Sequence, residues 1–177
     1  MEHVNHPKHY NSHPNGIECI DIIRHYACDI ANAIKYLWRA GLKVPSKQEQ
    51  CDARIDIDER EEARPIGQTE MSMKDAEKEI EDLKKALWYI EDYEKHLNPT
   101  MQKLTQTTTI EERVRQTTGY HIQEITEGLD NSIATSLHCL LRNGLIWNGK
   151  ELCHELWFDD IDETTKAIQQ RIAALEH

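Results

Sequence analysis

The chain has 177 residues, 38% of them hydrophobic and 30% charged, enough apolar material for one domain with or without an appendage. No apolar run approaches the roughly 20 residues of a membrane span, and the opening Met1-Glu2-His3-Val4-Asn5 lacks the basic and apolar regions of a secretory leader, so a cytoplasmic protein with no membrane partner is expected. A net charge of −11 repels a phosphate backbone, which argues against a long nucleic acid but leaves room for a small phosphorylated ligand held by a local Lys/Arg cluster.

Glycine and proline are sparse (7 and 5) and helical periodicity dominates. The expected fold class is all-α: a compact helical domain over residues 1–97, a linker over 98–109 and a helical C-terminal extension over 110–174, with room for one short β-hairpin. Residues 175–177, Leu-Glu-His, resemble the start of a vector-encoded tag.

Pro7, Pro14 and the Asn15-Gly16 pair make the opening segment, up to Gly16, irregular. Asn15 followed by Glu18 has the form of a capping box and predicts a helix carrying Ile20, Ile23 and Ala27. Asp29 is placed to cap a second helix with Ile30, Ile34 and Leu37, which Gly41 would close. Residues 42–71 hold Pro45, Pro65 and an acidic run, and read as a long solvated loop. From Ser72 the series Ala76, Ile80, Leu83, Leu87 and Ile90 forms one apolar stripe. Trp88 lies off that stripe, which suggests a second covered surface and hence a homo-oligomer. Thr109 with Glu112 opens another helix, interrupted at Gly119 and Gly128 and stopped at Asn143-Gly144. Asn148-Gly149 suits a tight turn between Leu145–Trp147 and Lys150–Leu152. Asp160 with Glu163 is expected to cap a last helix carrying Ile168 and Ile172. The five cysteines form no C-x-x-C pair and are expected as free thiols.

The chain lacks a Walker-type G-x-x-x-x-G-K-[ST] loop, a G-x-G-x-x-G and an H-E-x-x-H. Phosphate would therefore be held by side chains or helix N-termini. On the second helix Asn32, Lys35, Tyr36, Arg39 and Lys43 share the face opposite the apolar one. Lys offers a point charge and Arg a planar fork to phosphate oxygens, and Tyr36 can stack on a base; an ordinary solvated face has the same pattern. His6-Pro7-Lys8-His9-Tyr10 adds imidazoles that titrate near neutrality, against the plain reading of a polar terminus. Asp82, Lys85 and Tyr89 share a face of the long helix, where intrahelical ion pairing is the ordinary explanation. Glu18 with Asp21, and Glu79 with Asp82, are carboxylate pairs at i, i+3. Side by side they would hold Mg²⁺, although acids near helix N-termini are favoured by the macrodipole alone.

Taken in order, His6-Pro-Lys-His9-Tyr10, Gly16-Ile-Glu18-Cys-Ile-Asp21, Asn32-Ala-Ile-Lys35-Tyr36-Leu-Trp-Arg39-Ala-Gly41-Leu-Lys43 and Glu81-Asp82-Leu-Lys-Lys85-Ala-Leu-Trp-Tyr89 resemble the SaV-like phage protein family. That family includes a coliphage kinase of deoxynucleoside monophosphates that works without a P-loop, and a protein that sets the sensitivity of a lactococcal phage to an abortive-infection system. The resemblance runs from His3 to about His96 and departs from the family in one place, where the connection between Lys43 and Glu79 is much longer than usual. It implies a nucleotide-binding protein of the host-cell cytoplasm, with nucleotide ligands among His6, His9, Tyr10, Asn32, Lys35, Tyr36, Arg39, Lys43, Lys85 and Tyr89. Three functions compete. The first is a nucleoside monophosphate kinase with ATP as phosphoryl donor, Lys35, Arg39 and Lys43 neutralising the transferred group and His9 or Asp82 orienting the acceptor. The second is a non-catalytic binder of a nucleotide or of a host protein. The third is an all-α pyrophosphohydrolase using Mg²⁺ on Glu18, Asp21, Glu79 and Asp82, which would ordinarily carry a denser E-E-x-x-E motif.

Overall fold

The computed structural model describes residues 13–42, 73–96, 102–103, 109–153 and 157–177. The elements are α1 (Cys19–Ile23), α2 (Cys28–Leu42), α3 (Met73–Lys95), β1 (Gln102–Lys103), α4 (Ile110–Thr118), α5 (Ile122–Thr126), α6 (Asn131–Leu140), β2 (Asn143–Trp147), β3 (Lys150–Cys153) and α7 (Trp157–Leu175). The chain is mostly helical, as its periodicity predicts, with one small sheet in the order β1-β3-β2. Among the described residues no helix is long and apolar enough to cross a membrane.

Helices α2 and α3 form the principal helix pair. From α2, Ile30, Ala33, Ile34, Leu37 and Trp38 are fully buried; from α3, Leu83, Ala86, Ile90 and Tyr93 meet them. The buried face of α3 keeps Leu83 and Ile90 of the apolar stripe read in the sequence but is rotated partly away from the rest of it. Ala76, Ile80 and Leu87 are only half-buried, while Glu79 and Asp82 lie inside. The cause is that α3 packs on α7 as well as on α2, so the interior takes in two carboxylates that hydrophobicity would have left outside.

Helix α6 packs on α7 and also reaches α2. One apolar cluster therefore runs from Ile17 to Ile168 and draws on residues from both sides of 98–109. The α1–α2 turn is stitched to the α6–β2 turn. The Ala27 N–H donates to Gly144 O (2.7 Å), the Ile146 N–H to His25 O (2.8 Å), and the Tyr26 hydroxyl to Leu141 O (2.8 Å).

Several local signals behave as expected. The Thr109 hydroxyl accepts from the Glu112 N–H at 3.2 Å. Gly119 closes α4 at φ 86°, and Gly128 follows α5 at φ 81°. The Asn148-Gly149 turn joins β2 and β3 in the register Trp147↔Lys150; both turn residues have positive φ, 49° and 72°, as the tightest hairpin turn requires.

Others are corrected. Asn15 does not cap α1: its amide donates to Glu124 O (2.9 Å), and Glu18 stands at the cap position, where its side chain makes no capping hydrogen bond. With α1 starting at Cys19, Ile22 is buried and Ile20 is left 49% exposed. Helix α2 begins one residue before Asp29 and continues past Gly41. Helix α7 begins at Trp157, so Asp160 sits in its first turn. There it accepts from Arg142 (3.1 Å) and Asn143 (3.2 Å), a tertiary role in place of a cap. Cys19, Cys28 and Cys139 are free thiols, and burial pushes the thiols of Cys19 and Cys139 up to about 12.

Candidate functional site

Where α2 crosses α3, a polar and aromatic face is assembled from both helices. Lys35, Tyr36 and Arg39 come from α2; Asp82, Lys85 and Tyr89 come from α3, one and two turns apart. The Arg39 guanidinium donates through Nε to Asp82 Oδ2 (3.2 Å) and through Nη2 to Asp82 Oδ1 (2.5 Å). The Asp82 side chain is 1% exposed and that of Arg39 24%. This fork holds two of the guanidinium donors in fixed positions. The Tyr36 and Tyr89 rings stack at 5.8 Å and 17°. Arg39 Cζ, Lys85 Nζ and Lys35 Nζ lie 5.4, 5.6 and 5.8 Å from the Tyr36 centroid. Cations at this range are attracted by the ring quadrupole, which adds to the hold of Asp82 on Arg39 and of Glu81 on Lys85. The Lys85 ammonium donates to Glu81 (2.5 Å), and that bond raises its pKa. Trp88 stands edge-on to Tyr89 at 4.9 Å.

The expected site residues thus divide. Lys35, Tyr36, Arg39, Asp82, Lys85 and Tyr89 are brought together. Asn32 is not: its amide donates to Cys28 O (3.0 Å) within its own helix. His6, His9, Tyr10 and Lys43 lie outside the described residues. The four carboxylates do not converge into a metal site. Asp82 is engaged by Arg39, Glu79 by Arg171 of α7 (2.8 Å), and Asp21 by Arg24 of its own turn (2.8 Å). Among the described residues no group of three or more His, Cys, Asp or Glu is placed to hold a metal ion. Glu79 and Asp82 share a face, and arginines from two different helices reach them and balance their charge. Arg171 carries no local signal in the sequence, because its partner is 92 positions away.

His13, the last of the N-terminal histidines, is a core residue at 4% exposure. Its Nε2 lies 2.7 Å from Ile125 O, its Nδ1 accepts from the Asn15 N–H (3.2 Å), and its ring packs on Trp38 at 4.8 Å. The proton therefore sits on Nε2. Burial lowers the pKa of His13 below its usual 6.5, and an imidazolium would set a second N–H against that of Asn15. Below pH 6.5 the unfolded chain takes up this proton and the folded one resists it. Stability is therefore full above 6.5 and falls as the pH drops toward the lower folded value, by at most about 1.4 kcal/mol per pH unit for one proton. Urea midpoints measured between pH 7.5 and 5.5 should fall, and His13→Gln should flatten part of that slope. His25, lowered chiefly by burial, contributes in the same direction and accounts for a residual slope. An unchanged slope in the variant would remove His13 as a source.

Residues 4–54 match the sequence profile of a protein family of unknown function, DUF3310. The matched span includes Lys35, Tyr36 and Arg39 and stops before α3. No curated protein and no solved structure matches the chain.

Proposed function

We propose that the α2–α3 face binds the phosphates of a nucleotide, and that the protein is a nucleoside monophosphate kinase without a P-loop, of the kind the SaV-like resemblance implies. The observation that supports this reading is the meeting of Lys35 and Arg39 with Lys85 around the Tyr36–Tyr89 stack. Two sequence blocks of that resemblance, 43 residues apart at Arg39 and Asp82, supply the two halves of one face. Lys35 and Lys85 offer point charges to phosphate oxygens, and Arg39, fixed by Asp82, offers oriented N–H groups. Phosphoryl transfer asks mainly for positioning and charge stabilisation, which such a face provides. Mg²⁺ finds no protein-built cage among the described residues, so no step is assigned to a protein-bound metal. The same observation weighs against a pyrophosphohydrolase working through Glu18, Asp21, Glu79 and Asp82.

One observation favours the alternative of binding without turnover. Two of the Arg39 donors are already committed to Asp82, which lowers the charge this arginine can give to a transition state. Incubation with each deoxynucleoside monophosphate and ATP, with and without Mg²⁺, separates the readings by whether diphosphate forms. Lys35→Ala and Lys85→Ala are the informative variants, because neither side chain is buried. Each is expected to lower kcat/KM about 10²-fold, the usual consequence of deleting one charge-stabilising donor, with an unchanged melting temperature. Diphosphate formed at the wild-type rate by the double variant would place the site elsewhere. Nucleotide binding with no turnover would leave the binding reading.

A further inference from the structure

The face of α3 opposite the core carries a shallow, mainly apolar groove lined by Glu77, Ile80, Glu81, Lys84, Lys85 and Trp88. Trp88 is 58% exposed, one of four large hydrophobic side chains left open among the described residues. An open tryptophan in a groove between charged residues is the usual composition of a docking surface and of its energetic centre.

The order of charges identifies the occupant. Along the helix the groove reads acid, apolar, acid, base, base, aromatic: Glu77, Ile80, Glu81, Lys84, Lys85, Trp88. The acids occupy the N-terminal half and the bases the C-terminal half. A second α3 laid antiparallel, about a two-fold axis at the height midway between Asp82 and Leu83, reverses this order. It sets Glu81 against Lys84 and Lys85 of the second copy, Ile80 against the aliphatic stem of Lys84, and Glu77 beside Trp88. Each pairing then occurs twice, as an isologous contact demands, and the six lining positions map onto themselves. A parallel partner would set like charges face to face.

We infer that this face of α3 is a self-complementary interface at which two copies of the chain pair antiparallel, with Trp88 as the anchor. The inference is independent of the proposed kinase activity. Because Lys85 lines the groove and also faces the Tyr36 ring at 5.6 Å, the second copy lies beside the α2–α3 face.

Sedimentation equilibrium of the full chain, from low micromolar to about 100 μM (a Kd range spanning roughly 6–8 kcal/mol), tests this. The wild type should associate. Trp88→Ala should weaken association at least about 30-fold, the scale of a hot-spot tryptophan, with an unchanged helical signal because Trp88 lies outside the core. Glu81→Lys and Lys84→Glu should each weaken it, and the double reversal should recover association, since the swap restores opposite charges across the axis. A wild type that stays monomeric overturns the inference. So does association that is indifferent to Trp88→Ala, or single reversals whose losses simply add in the double variant; a pairing through another surface, or a different occupant of the groove, would give those results.

Discussion

Arg39→Ala is expected to cost about 3–5 kcal/mol of folding stability, because it leaves Asp82 charged and without its principal partner in the interior. Asp82 is 1% exposed and accepts both bonds of the Arg39 fork. The same truncation removes the guanidinium from the Tyr36 ring. Replacing both partners by apolar residues of similar volume, Arg39→Met with Asp82→Leu, should cost less than either single change, since neither member of the pair is then left without the other. Urea unfolding of the wild type, the two single variants and the double variant gives the comparison. Single variants within about 1 kcal/mol of the wild type would mean that water reaches Asp82 and that the pair is an ordinary surface bridge. The result also bears on function. A loss of activity in Arg39→Ala mixes unfolding with chemistry, which is why the activity tests rest on Lys35 and Lys85.

Gly144→Ala is expected to destabilise by about 2–4 kcal/mol, from two additive causes. Gly144 has φ 70°, the left-handed region that costs a side-chain-bearing residue about 1 kcal/mol or more. An added Cβ would also lie 2.6 Å from Ile30 Cγ1 and 3.0 Å from Ile30 Cβ, and Ile30 is fully buried at the start of α2. The clash would separate the α6–β2 turn from α2 and strain the Ala27–Gly144 hydrogen bond (2.7 Å). Gly149→Ala is the internal control: its φ is 72°, and nothing lies within 4 Å of an added Cβ, so only the backbone term applies. Chemical unfolding of the two variants separates the terms. Equal losses would show that Ile30 yields without cost and that the close approach is not a constraint on the fold.

Features that depend on a few adjacent residues were legible before any tertiary contact was known. The hydroxyl of Thr109 can reach only the first turn of α4, so its cap was legible. Asn148-Gly149 accepts positive φ at both positions, so the hairpin was legible, and Gly119 ended its helix for the same conformational reason. The positions of Lys35, Tyr36 and Arg39 on one helical face, and of Asp82, Lys85 and Tyr89 on another, follow from the roughly 3.6 residues in each helical turn. Only the tertiary structure decided that these two faces meet. It also decided the fates of the carboxylates, because the partner of Glu79 comes from α7 and that of Asp82 from α2. Local propensity favoured a cap at Asn15 and another at Asp160. Long-range bonds to Glu124 O and to Arg142 and Asn143 drew both side chains elsewhere; Asp160 is buried, and a buried polar group must be satisfied wherever a partner lies. The partial rotation of the buried face of α3 away from its apolar stripe has the same origin. A one-dimensional pattern records which residues are apolar, whereas the number and direction of the helices packed against them fix which arc becomes the interior.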